Sequence, residues 1–160
     1  MYNIIIHMNS DNKPFTKISE ENIKNNINTL LQQGDINSIG NNLCFVNNNN
    51  MIILNYPYFK YFAHKETYNF ILNYIISIID NLLIKNESAI LHVNMQSITL
   101  SDIDKHKTFI KNISNLFKNR YPNKLNRCYI HNTPNMFEQI YKILKLFIDQ
   151  ETIDKIIIVK

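Results

Sequence analysis

The stretch YPNKLNRCYIHNTP, residues 121–134, decides the fold of this chain. The Tyr-Pro pair at its start ends a helix, because a residue that precedes proline is disfavoured in the helical conformation. The run Arg127–His131 then predicts a strand, and Pro134 stands where a proline is favoured, in the first turn of a new helix. A strand between two helices is the repeating unit of a parallel sheet with crossover helices.

Elements of the same kinds lie on both sides of this stretch. Ser101 and Asp104 have the spacing of a capping box, which predicts a helix running to about Arg120. Further strands are predicted at Tyr2–Met8, Leu43–Val46, Met51–Leu54, Ala89–Val93 and Ile156–Val159, and further helices from Ser19 to Gly34 and from Glu66 to Leu83. The asparagines at 47–50 predict a hairpin turn. The fold class is therefore α/β, a mostly parallel sheet with one antiparallel element and helices packed on it.

Length and composition limit the class of protein. The 160 residues fit one domain, 1–160, that needs no disulfide or metal for stability. Asn occurs 27 times and Ile 29 times, a bias typical of AT-rich genomes such as those of some protists or large DNA viruses. The 2 glycines argue against a glycine-rich phosphate loop. A net charge of +4 without a Lys/Arg run predicts mild attraction to anionic surfaces, at a phospholipid headgroup layer as much as at a polynucleotide. Nucleic acid is not among the partners that we expect.

The sequence offers no set of residues with a catalytic or metal-binding pattern. None of the 5 histidines is paired in sequence with a nucleophile, and Asp102 and Asp104 fit helix capping better than acid–base chemistry. Cys44 and Cys128 have no partner at zinc-ligand spacing, so we expect reduced core thiols. No secretory signal opens the chain, and the interrupted apolar run Phe70–Ile84 is too short for a bilayer span. We expect a cytoplasmic protein that is not an enzyme and holds no metal.

The C-terminal third carries an ordered set of motifs. After Tyr121-Pro122 and the strand come Asn132-Thr133-Pro134, then Phe137, Lys145-Leu146-Phe147, Thr152 and Lys155-Ile156. In order and spacing this set resembles the CRAL-TRIO family of lipid-binding proteins, which includes the phosphatidylinositol/phosphatidylcholine transfer proteins. The resemblance covers about residues 50–160 and is strongest at 121–156. We expect a minimal version of this fold, without a counterpart of the helical domain that precedes it in the family.

The resemblance implies that one face of the sheet is the floor of an apolar cavity and that a gate helix closes over it. Successive strand residues point to opposite faces, so the implied floor consists of Ala89, Leu91, Cys128, Ile130, Ile156 and Ile158. The implied gate helix is Asn135–Phe147, with the apolar residues Met136, Phe137, Ile140, Ile143, Leu144 and Phe147. The implied headgroup residues are Lys155, Lys124 and Asn123. Asn123 stands where phosphatidylinositol-binding members carry a glutamate. The resemblance also implies that His92 and His131 face the covering helices.

The function implied by the resemblance is lipid binding or lipid transfer. One phospholipid would be held in the cavity and exchanged at membranes, with phosphatidylinositol or a phosphoinositide favoured because Lys155 is kept. Bound phospholipid is the expected ligand and no cofactor is expected. We expect peripheral association with a membrane surface, and either residues 1–45 or a homodimer to cover the surface left by the missing domain. The alternative hypothesis is a protein-interaction module on the same fold with a collapsed pocket.

Overall fold

The computed structural model describes residues 5–6, 15–47 and 50–160. Their strands are β1 (Ile5–Ile6), β2 (Cys44–Asn47), β3 (Met51–Asn55), β4 (Ala89–Asn94), β5 (Leu125–His131) and β6 (Ile156–Val159). Their helices are α1 (Glu20–Gln32), α2 (Ile36–Leu43), α3 (Tyr56–Phe62), α4 (Tyr68–Leu83), α5 (Leu100–Arg120), α6 (Phe137–Leu144) and α7 (Gln150–Asp154). Within these ranges one sheet has the strand order β1-β6-β5-β4-β3-β2. β2 and β3 are antiparallel and the other neighbours are parallel, so the predicted fold class is confirmed.

The ends of the long helices follow local side-chain chemistry. Ser19 caps α1 by accepting a hydrogen bond from a backbone amide, and Gly34 follows the helix with a positive φ of 69°. The capping box of α5 is formed by Thr99 and Asp102 and not by the predicted pair Ser101 and Asp104. Both pairs have the required spacing. Thr99 is the residue with extended backbone, at φ −126° and ψ 165°, so the helix begins two residues earlier than predicted.

Three short helices among the described residues have no counterpart in the sequence-based prediction. They are α2, α3 and α7, with 8, 7 and 5 residues. Helices of 5 to 8 residues have too few turns for an apolar period to identify them alone, and α6, which is as short, was predicted because Pro134 marks its start. The predicted strand Tyr2–Met8 is described only at Ile5–Ile6, and the rest of it lies outside the described residues, as do Asn48 and Asn49 of the predicted turn.

The strand register divides the sheet into two apolar faces. On one face Ile52, Leu91, Cys128 and Ile156 form a row of partnered positions across β3, β4, β5 and β6. A second row on the same face consists of Leu54, Val93, Ile130 and Ile158. We call this the cavity face. The helices α1 to α4 share a core cluster with Ile52 of this face, so the part of residues 1–45 that forms α1 and α2 packs into the same core.

His92 and His131 lie on the opposite face. Their side chains are buried, and His92 Nδ1 lies 2.9 Å from His131 Nε2. Tyr129 stacks on His92 in the same layer, with ring centroids 4.8 Å apart. These histidines are therefore part of the packing behind the sheet, away from the cavity face.

Candidate functional site

A cavity of about 530 Å³ lies between the cavity face and the helices α4, α5 and α6. Five of the six predicted floor residues line it: Ala89, Leu91, Cys128, Ile130 and Ile156. Ile158 shares the row of Ile130, but it is not among the described lining residues and packs against the core beside it. Alternate residues of β3, β4, β5 and β6 share this face, and the floor is apolar because these residues are apolar.

The wall opposite the floor comes mainly from α5. Residues at intervals of three and four along this helix line the cavity: Ile103, His106, Ile110, Ile113 and Phe117. The spacing places them on one face of the helix. Ile110, Ile113 and Phe117 are only partly buried. Ile103 is buried in the core, and the later residues of this helix face border a hollow while they pack against the edge of the core.

The predicted gate helix contributes less to the cavity than its apolar stripe indicates. The helix α6 begins at Phe137 and ends at Leu144, and Leu144 is the one predicted gate residue among the described lining residues. The others lie elsewhere: Phe137 and Ile140 are buried in the core, Met136 and Ile143 are exposed, and Phe147 packs on the core from its edge. Tyr141 and Ile148, which the sequence reasoning missed, do line the cavity. The rotation of α6 about its axis depends on tertiary packing, which periodicity does not give.

Three lysines lie at the end of the cavity where the parallel strands begin. Lys124 and Lys155 directly precede β5 and β6, and their backbone carbonyls accept hydrogen bonds from Ala89 N at 2.8 Å and Cys128 N at 2.9 Å. Lys118 comes from the last turn of α5. We call Lys118, Lys124 and Lys155 the lysine rim, and all three line the cavity together with Asn123. Sequence reasoning missed Lys118, because a cation in the last helical turn is common without any ligand.

Acidic side chains share this end of the cavity. Glu151 Oε1 lies 2.7 Å from Lys155 Nζ, and the two side chains are 57% and 21% exposed. Burial acts to raise the pKa of Asp149, but hydrogen bonds from the amide and hydroxyl of Thr152 hold that pKa below its usual value. An anionic group that approaches Lys155 must therefore compete with Glu151.

The cysteine thiols that line the cavity are chemically quiet. Burial raises the pKa of Cys44 and of Cys128 to about 12. The thiolate is the reactive form, so neither thiol is activated at neutral pH. Both act as small apolar lining residues.

Comparison with known proteins agrees with this architecture. The model of the family described as the CRAL/TRIO domain matches residues 42–160. The chain therefore belongs to the CRAL/TRIO domain family. It is 31% identical over 70 residues to the SEC14 cytosolic factor of Yarrowia lipolytica, covering 44% of this chain and 14% of that protein. It is 29% identical over 72 residues to a CRAL-TRIO domain-containing protein of Saccharomyces cerevisiae, covering 45% and 23%.

The fold is also similar to that in the crystal structure of Sfh5. That comparison has a TM-score of 0.61 and 20% sequence identity, and it covers 74% of this chain and 47% of the other. The chain spans 14% and 23% of the length of the two curated relatives named above. Membership of the family confirms the resemblance seen in the sequence and supports lipid binding or transfer in general terms.

Two further features of the described ranges bear on function. None of their helices combines the length and the apolar character needed to cross a bilayer. None of their His, Cys, Asp and Glu side chains come together in a group of three or more that could hold a metal ion.

Proposed function

We propose that this protein binds one phospholipid in the cavity and exchanges it at membrane surfaces, acting in the cytoplasm as a peripheral protein. The favoured ligand is phosphatidylinositol or a phosphorylated derivative, with its acyl part in the cavity and its phosphate at the lysine rim. The observation that carries the proposal is an apolar cavity of about 530 Å³ with three lysines at one end. This volume lies within the range of small-molecule sites, roughly 300–1,000 Å³.

The energetics of such binding need no covalent chemistry. Each methylene group that leaves water for the cavity contributes about 0.8 kcal/mol. A phosphate group loses hydration on binding, and a charge-assisted hydrogen bond from Lys155 would offset that loss. The alternative, an interaction module with a collapsed pocket, fits less well because small side chains such as Ala89 and Cys128 leave the floor open.

An exposed apolar patch supports contact with a membrane. Met136 directly before α6 is 42% exposed, Ile143 in its last turn is 37% exposed, and Leu146 after its end is 79% exposed. Lys142 and Lys145, which lie between these residues in the sequence, are also exposed. Apolar side chains flanked by cations suit a surface of anionic lipids, to which each lysine contributes on the order of 1 kcal/mol.

The test is a transfer assay between vesicles of phosphatidylcholine with and without phosphatidylinositol, combined with native mass spectrometry of the purified protein. We expect one bound phospholipid per chain and faster movement of phosphatidylinositol than of phosphatidylcholine. Leu146→Glu should slow transfer and leave the amount of bound lipid unchanged. Leu31→Glu alters another exposed leucine, 48% accessible on α1, and is the matched control. A lipid-free protein that moves neither lipid would contradict the proposal.

A further inference from the structure

A surface groove of about 210 Å³ lies between α4 and α5. Its apolar lining is partly buried and consists of Tyr68, Leu72, Phe109 and Ile113. Its polar lining is exposed and consists of Lys65, Asn69, Thr108 and Asn112. The groove therefore has an apolar bottom and a polar rim, and none of the described side chains that line it is acidic.

Two of these side chains also line the large cavity. Phe109 and Ile113, which are one helical turn apart on α5, border the groove and the cavity. The thickness of these side chains therefore separates the two spaces. We propose that the groove is the outer part of a side passage, and that it binds the end of a long acyl chain that leaves the cavity past Ile113. The inference rests on the proposed lipid-binding function and adds a second apolar subsite for the same ligand.

The two side chains that separate the spaces are held differently. The ring of Phe109 stacks on Tyr68, with centroids 4.6 Å apart, and packs against Phe59 with centroids 5.3 Å apart. Phe109 is therefore a fixed part of the wall. Ile113 is aliphatic, lies outside this aromatic cluster and packs only on the edge of the core. The rotamer of Ile113 thus controls whether the groove and the cavity are joined.

Polar contacts hold α4 and α5 together on both sides of the passage. At one end the hydroxyl oxygen of Tyr68 lies 2.6 Å from His106 Nδ1. At the other end Asp80 accepts hydrogen bonds from Arg120 Nη2 and from the hydroxyl of Tyr121, each at 2.7 Å. Within residues 15–47 and 50–160, no other side-chain hydrogen bond joins these two helices. His106 and Arg120 are fourteen residues apart, about 21 Å along a helix, so a chain can pass between them by displacing apolar side chains alone.

The size and position of the groove select an acyl chain as its occupant. Its volume is below the roughly 300 Å³ at which separate small-molecule sites begin, so the groove suits an extension of the cavity better than a site of its own. Phe109 lies nine residues before Lys118 of the lysine rim, about 14 Å along α5. A chain of eight carbons extends only roughly 9 Å, so a lipid with its headgroup at the rim needs longer chains to reach the passage.

A fluorescence experiment tests whether a bound chain reaches the groove. The sequence contains no tryptophan, so one introduced tryptophan reports on its own surroundings. Thr108→Trp places the reporter at the exposed rim of the groove. Lys107→Trp is the matched control, because Lys107 is 61% exposed and lines neither the groove nor the cavity. Each variant is loaded with phosphatidylinositol that carries 9,10-dibromostearoyl chains, or with dioleoyl phosphatidylinositol as the reference, and is then separated from the vesicles.

We expect the brominated lipid to quench most of the fluorescence of Thr108→Trp and little of that of Lys107→Trp. Native mass spectrometry of the same samples counts the bound lipid. If lipid is bound and the two variants are quenched equally, the inference is overturned and the proposed function stands. If no lipid is bound, the proposed function is contradicted and the inference falls with it.

A second variant blocks the groove. Leu72 lines the groove and not the cavity, so Leu72→Trp fills the groove alone. Each methylene group displaced from the groove should weaken binding about fourfold, so the loss of two should weaken binding of dioleoyl phosphatidylinositol about 15-fold and leave dioctanoyl phosphatidylinositol unaffected. Asn73→Trp, at an exposed position of α4 that lines neither space, should bind both lipids as the wild type does. Unchanged binding of the dioleoyl lipid in folded Leu72→Trp, or an equal loss for the dioctanoyl lipid, would overturn the inference, and the quenching comparison carries the test if Leu72→Trp does not fold.

Discussion

Neutralising Lys155 and Glu151, one at a time and together, tests headgroup recognition most directly. Lys155 Nζ and Glu151 Oε1 are 2.7 Å apart at one end of the cavity. If an anionic headgroup binds Lys155, Glu151 is its competitor. Removing the lysine should then weaken binding of phosphatidylinositol, and removing the acid should strengthen it, although both changes break the same ion pair.

The expected magnitudes differ because the environments of the two side chains differ. Lys155 is 21% exposed, and a hydrogen bond from a charged donor contributes about 1.5–3 kcal/mol, so Lys155→Gln should weaken binding about 10- to 100-fold. Glu151 is 57% exposed, and a solvent-exposed ion pair contributes only about 0.2–1 kcal/mol. Glu151→Gln should therefore strengthen binding no more than about fivefold.

The assay is equilibrium binding of phosphatidylinositol, with phosphatidylcholine in parallel. The double variant should resemble Lys155→Gln, since the acid matters only while the lysine is present. Lys111→Gln is the matched control, because Lys111 is exposed on α5 and does not line the cavity. Wild-type affinity in Lys155→Gln, or weaker binding in Glu151→Gln, would refute headgroup recognition by Lys155.

Three further predictions concern the floor, the thiols and the helix packing. Leu91→Trp should fill the centre of the floor and abolish lipid uptake without unfolding the protein, which native mass spectrometry checks; bound lipid in this variant would count against the cavity as the site. Cys44 and Cys128, with pKa values raised to about 12, should resist iodoacetamide at pH 8 in the folded protein and react in urea, so rapid labelling without urea would be inconsistent with the burial described. Gly40→Ala should destabilise the protein by about 1–3 kcal/mol because the added Cβ would lie 2.7 Å from the Tyr74 ring, and a raised unfolding temperature would contradict this.

Elements with a clear period were predictable from the sequence. The alternation in Ala89–Val93 and Arg127–His131 assigned the correct residues to each face, because the side-chain period of a strand does not depend on its neighbours. The hairpin of β2 and β3 was also predicted, since polar turn residues separate two apolar runs. Because side chains alternate along each strand, five of the six implied floor residues lie together along the cavity.

The asparagine excess shows where composition was a poor guide. Asn94 Nδ2 lies 3.3 Å from Asn55 Oδ1, and Asn94 Oδ1 accepts a hydrogen bond from Asn132 Nδ2 at 3.1 Å. These three amides join the carboxyl ends of β3, β4 and β5. Codon bias explains why asparagine is frequent, but the register of the parallel strands made these particular residues partners.

The sequence by itself determined the strand and helix alternation, the family, and the residues that precede β5 and β6 at the lysine rim. These depend on local period and on motif order, which one segment of chain carries alone. Only the tertiary structure decided that α6 turns Phe137 and Ile140 into the core, and that α5 borders a cavity with Lys118 at one end and His106 at the other. The physical reason is that a cavity is a space left between elements, so its lining depends on their distance and rotation, which no single element specifies.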